Sequence, residues 1–73
     1  MKRLSTLSYR IYNHCKMYRT ESGLYIESIK ELSFYFERKP ADIRKSLAEL
    51  EQAKFIEDLT IDNGKVKFFI IEY

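Results

Sequence analysis

Only Gly23, Pro40 and Gly64 punctuate this chain of 73 residues. Glycine and proline are the strongest local breakers of regular structure, so a chain with so few of them is divided into a handful of well-bounded elements. The segments between the breaks are rich in apolar side chains, 45% over the whole sequence with six Tyr and five Phe. Such a composition supplies a packed core and argues against disorder. The length accommodates one domain, expected to span residues 1–73.

From about residue 3 to 19, Leu4, Leu7, Ile11, Cys15 and Tyr18 recur at spacings of three and four. That spacing predicts an amphipathic helix, with most of its bases off the apolar stripe. Residues 20–23 break it. Leu24, Tyr25 and Ile26 are too few for a helix and predict a brief strand or an extended connector. Ser28, with Glu31 three residues on, has the spacing of a capping box: the serine oxygen accepts from a free backbone N–H, and the glutamate reaches back to the serine amide. A second helix is expected there, with Ile29, Leu32 and Phe36 as its buried stripe. Pro40 suits the first turn of a third helix, where its missing N–H has no partner anyway. Ile43, Leu47, Leu50 and Lys54 share one face of it, and it is expected to end near Ala53. The tail predicts a hairpin of residues 56–61 and 65–73 around Asn63-Gly64, a dipeptide suited to the two positive-φ positions of a type I′ turn. A two-residue turn sets Ile61 opposite Val66 and Leu59 opposite Phe68. The expected order is helix, short strand, helix, helix, strand, strand, an α+β layout.

Charge is unevenly spread although the net value is only +2. Lys2, Arg3, Arg10, Lys16 and Arg19 face no acid in residues 1–19, whereas Glu21, Glu27, Glu31 and Glu37 dominate residues 20–37. Such a chain can present a basic face and an acidic face. Cys15 is the lone cysteine and His14 the lone histidine, too few ligands for a zinc site. Cys15 is expected as a small buried hydrophobe and His14 as a solvated or partly packed surface residue. No stretch approaches the ~18 apolar residues of a membrane span, and no apolar block follows the basic start as in a signal peptide. A cytoplasmic protein is expected. No nucleophile–base pair, glycine-rich phosphate loop or metal-ligand cluster stands out, so no enzyme, no cofactor, no metal and no small-molecule ligand are expected.

Several local sequences carry a resemblance. Ser28-Ile29-Lys30-Glu31-Leu32 looks like the first helix of a helix–turn–helix. Lys39-Pro40-Ala41-Asp42-Ile43 looks like the opening of a recognition helix, Leu47 and Leu50 like its two buried leucines, and Lys54-Phe55-Ile56 like the lead into a wing. With the element order, the chain resembles the winged helix–turn–helix superfamily of DNA-binding domains over nearly its whole length. It departs from the pattern at Glu37 and Arg38, where a glycine and a small apolar residue are usual, and at Phe34 and Tyr35, where polar residues are usual.

The resemblance implies a reader of double-stranded DNA whose helix at about 40–53 enters the major groove. With Ile43 at the centre of the buried face, Ala41, Lys45 and Ala48 point away from the core, with Arg44 and Asp42 to either side. Small residues at 41 and 48 suit a close approach to the groove. Arg44 and Lys45 are the expected donors to guanine edges, and Asp42 is either an acceptor from cytosine or a favourable charge at the helix N-terminus. Arg38 and Lys39 in the turn, Lys65 and Lys67 on the wing, and Lys2, Arg3 and Arg10 on the flank suit phosphates. Such readers commonly pair on adjacent half-sites. Phe34, Tyr35, Phe69, Ile71 and Tyr73 offer surplus apolar surface for a homodimer or another partner. The expected role is a small transcriptional regulator. The alternatives are a protein-binding winged-helix adaptor or inhibitor, and a DNA-binding part of replication or partition machinery, from a phage, plasmid or other mobile element.

Overall fold

The computed structural model describes residues 4–72. Helix α1 spans Thr6–Tyr18, strand β1 Leu24–Ser28, helix α2 Ile29–Phe36, helix α3 Pro40–Gln52, strand β2 Ile56–Asp62 and strand β3 Lys65–Ile70. The order is the α-β-α-α-β-β layout expected from the sequence. β3 lies between β1 and β2, antiparallel to both.

Helix α1 begins later than expected. Ser5 takes the N-cap, its Oγ accepting from the backbone N–H of Ser8 at 3.2 Å. This satisfies one of the donors that every helix start leaves open. Leu4, Leu7, Ile11 and Cys15 are buried as the periodicity requires, but Tyr18 is 65% exposed. Ser8 and Tyr12 complete the buried face instead. Cys15 has no exposed surface and is reduced.

Strand β1 runs two residues further than the apolar run, so Ser28 ends a strand and caps a helix at once. Its Oγ accepts from Glu31 N–H at 3.0 Å. The return half of the capping box is replaced: Ser28 N–H donates to the carboxylate of Glu27 at 2.8 Å. The α2 stripe of Ile29, Leu32 and Phe36 is buried as expected.

The turn between α2 and α3 explains how the chain does without a glycine there. Glu37 takes the left-handed conformation, φ 54° and ψ 45°. Its N–H donates to Phe34 O, and Arg38 N–H donates to Ser33 O at 3.0 Å. These two bonds close the helix end in the pattern a glycine commonly serves. Ser33 Oγ also donates to the Arg38 carbonyl. The end of α3 repeats the device with Lys54 at φ 65°, while Phe55 N–H donates to Leu50 O and Lys54 N–H to Glu51 O. Lys54 thus lies beyond the helix, exposed, and does not extend the stripe of Ile43, Leu47 and Leu50 as expected.

Asn63 and Gly64 both have positive φ, 50° and 76°, as the turn requires. Ile61 pairs with Val66, but Leu59 does not sit squarely across from Phe68. The ladder shifts between Glu57 and Thr60, with Asp58 at φ 56°. Two residues of β2 there oppose one of β3, which is a β-bulge. The bulge leaves Leu59 half-buried against the core and Ile61 exposed at the tip. The expected single apolar face of four is therefore broken by geometry that no local pattern announces. The inner sheet face, Tyr25, Ile56, Val66, Phe68 and Ile70, is buried with the inner faces of the three helices in one core.

Candidate nucleic-acid interface

The first turn of α3 starts without a side-chain cap at Lys39, and Pro40 holds the first helical position. Asp42 lies in that turn, where the helix dipole favours a negative charge. Its carboxylate also reaches back one turn to Arg38, 3.6 Å from Nε. Arg38 is drawn toward the start of α3 by the same pair.

Ile43, Ser46, Leu47 and Leu50 face the core, so their helical complements Ala41, Arg44, Lys45 and Ala48 are exposed. This is the stripe expected from the 100° rotation per residue. Among the described residues, Lys39, Arg44 and Lys45 form no ion pair. Lys45 with Arg38 and Asp42 borders a shallow hollow where the first turn of α1 meets α3, near Ser5 and Glu49. There Ser5 N–H donates to Glu49 Oε1 at 2.7 Å, fixing the start of α1 against α3.

The other expected contacts are dispersed. Lys65 and Lys67 are exposed on β3 and alternate with buried Val66, so they leave the sheet on its outer face. Lys67 lies between Ile26 of β1 and Thr60 of β2, and Lys65 opposes Asp62 across the turn. No hydrogen bond or ion pair among the described residues joins this pair to the α3 stripe. Arg10 is exposed on α1, its guanidinium 5.5 Å from the centre of the Phe36 ring. That packing turns it toward the end of α2. Lys2 and Arg3 lie outside the described residues.

The expected partner surface divides as well. Phe34 is 83% exposed and Tyr35 61%. Phe69 is half-buried on the outer sheet face, paired with Leu24 on one side and Glu57 on the other. Ile71 lies past the end of β3, which stops at Ile70. It is half-buried, its N–H donates to Phe55 O and its carbonyl accepts from Tyr12. Tyr73 is outside the described residues. Within the run Phe68-Phe69-Ile70-Ile71, Phe68 and Ile70 are buried in the core, while Phe69 and Ile71 are half-buried.

Comparison with protein-family models, curated proteins and solved structures finds no match to this chain. What the site can do therefore rests on its own residues.

A second group of side chains has no counterpart in any local motif of the sequence. His14, Tyr18, Tyr25 and Tyr35, from α1, β1 and α2, converge around a groove of about 440 Å³ that Glu27 and Glu31 also line. The only sequence signal for it was the excess of acid in residues 20–37. Burial holds the His14 imidazole below its ordinary pKa of 6.5, partly offset by the Glu27 carboxylate. Burial pushes the neighbouring Cys15 thiol up to about 12. No helix among the described residues is long and apolar enough to cross a membrane.

Proposed function

We propose that this protein binds double-stranded DNA through the exposed stripe of α3, as a small cytoplasmic regulator of transcription with a winged-helix architecture. The observation that carries the reading is the grouping of Arg38, Lys39, Arg44 and Lys45 around the first half of one exposed helix face. Asp42 is the one acid in this span and is already paired. Ala41 and Ala48 leave the helix surface low, which suits insertion into a groove about 12 Å wide. Arg44 and Lys45 are assigned to base edges, and Arg38 and Lys39 to phosphates. Lys65, Lys67 and Arg10 are secondary, since they leave the fold from other faces.

The test is anisotropy of a labelled mixed-sequence duplex at about 50 and 200 mM salt. Neutralising four phosphates predicts a loss of about a hundredfold in affinity over that range through counterion release. The Arg44→Ala/Lys45→Ala variant is expected to bind more weakly while keeping its circular dichroism spectrum, because both positions are exposed. Absence of binding by the wild type at the lower salt would sink the reading.

A second reading, a protein-binding adaptor or inhibitor, is supported by the exposure of Phe34 and Tyr35 on α2. The same residues support a homodimer, which sedimentation of the wild type and a Phe34→Ser variant would test. Use of the α3 surface in replication or partition machinery would need the same DNA contacts.

A further inference from the structure

The groove between α1, β1 and α2 has the chemistry of a cation receptor. Its centre is the His14 ring, with ring centroids 4.3 Å from Tyr35, 4.8 Å from Tyr18 and 6.4 Å from Tyr25. Tyr18 and Tyr35 are exposed on its rim, 65% and 61%, although aromatic rings are costly to leave in water. Glu27 and Glu31 stand in the same wall. Among the described residues neither carboxylate has an ion-pair partner. Glu27 is half-buried and held in place by the Ser28 N–H, 2.8 Å from its Oε1. At about 440 Å³ the groove falls within the range of ligand sites, about 300–1,000 Å³.

Three properties narrow the occupant. Two carboxylates repel phosphate, so this is not a second nucleic-acid surface. They are equally poor walls for an apolar group, which would leave them desolvated without a partner. Aromatic faces carry negative potential and attract a cation, Arg more often than Lys. A guanidinium stacks flat on a ring while its edge donates to carboxylates, which a lysine ammonium cannot do at once. The neutral form of His14, favoured by its burial, adds a ring without adding a competing charge.

We propose that this groove receives an arginine side chain presented by a partner protein, its guanidinium stacked on Tyr35 and Tyr18 and paired with Glu27 and Glu31. The assignment is independent of the DNA reading, because no residue of α3 lines the groove.

The experiment is an amide and aromatic NMR titration of the whole chain with a short arginine-bearing peptide, alongside its lysine and citrulline counterparts. Saturable shifts are expected at His14, Tyr18, Tyr35, Glu27 and Glu31 with the arginine peptide, weaker with lysine and absent with citrulline. Glu27→Gln/Glu31→Gln should weaken binding about three- to tenfold, since two part-exposed ion pairs are lost. The Glu27→Gln side chain keeps a carbonyl oxygen to accept from the Ser28 N–H, so the fold is expected to survive. Tyr35→Ala should weaken binding about two- to fivefold. Equal shifts with citrulline, or none at these residues with arginine, would overturn the proposal. So would the same shifts on concentrating the protein without peptide, which would make a second copy of the chain the donor.

Discussion

The hydroxyl of Tyr12 donates a 2.7 Å hydrogen bond to the carbonyl of Ile71, joining the middle of α1 to the chain just beyond β3. The Tyr12 ring meets Phe55 edge-on at 5.1 Å, and Phe55 O accepts from Ile71 N–H. Helix α1, the lead into β2 and the exit from β3 are thus held at one point.

Tyr12→Phe removes the hydroxyl and keeps the ring contact. It is expected to cost about 1 kcal/mol, lowering the melting temperature by about 4–8 °C in a domain of this size. Thermal denaturation followed by circular dichroism measures it. An unchanged melting temperature would mean that water replaces the hydroxyl without loss.

Glu37 holds a left-handed backbone that costs a residue with a Cβ about 1–2 kcal/mol. Glycine removes that cost but gives back about 0.5–1 kcal/mol through the freedom of its unfolded chain. Glu37→Gly is therefore expected to stabilise by about 0.5–1 kcal/mol, read as a higher urea midpoint at unchanged slope. Glu37→Val should do the reverse, because branching at Cβ worsens the same clash.

The Cys15 side chain is buried and its thiol is pushed up to about 12 by the absence of water. Only the thiolate reacts readily with disulfide reagents. Labelling in buffer near neutral pH should run at least about a hundredfold slower than in urea. Rapid labelling of the folded chain would show that α1 opens locally.

His14 packs against Tyr18, Tyr25, Tyr35 and Phe36, with Glu27 the charge acting on it. Its folded pKa lies below the ordinary 6.5 because desolvation disfavours the imidazolium. The unfolded chain then binds its proton first as pH falls. The contribution of His14 to stability is full above 6.5 and is lost on acidification below it. His14→Gln should remove that slope, so wild type and variant should diverge in urea midpoint on acidification from neutral pH through the range below 6.5, by more than they do above it. Parallel midpoints across the range would rule out the linkage.

Much of the fold was legible because its signals are local. Periodic Ile29, Leu32 and Phe36, the Ser28 cap, Pro40 and the Asn63-Gly64 turn each act within a few residues, and each predicted its element. The α3 stripe was legible for the same reason: once Ile43 and Leu47 face the core, helical rotation exposes Ala41, Arg44, Lys45 and Ala48. The errors arise where distant segments decide. Tyr18 fits the α1 period, yet the core ends before it. Glu27 displaces Glu31 from the Ser28 amide because β1 continues to the cap. The β2 bulge shifts Leu59 and Ile61 from the register that the turn alone predicts.

The sequence by itself determined the order of helices and strands, and which helix face carries cations, because backbone capping, turn chemistry and periodic burial are set by near neighbours. Tertiary structure alone decided that the Ile71 backbone is hydrogen-bonded to the Tyr12 hydroxyl and the Phe55 carbonyl. It also decided that four rings and two carboxylates from α1, β1 and α2 surround one groove. Those arrangements depend on how packed elements meet, a global optimum of burial and hydrogen bonding that no short stretch of this chain encodes.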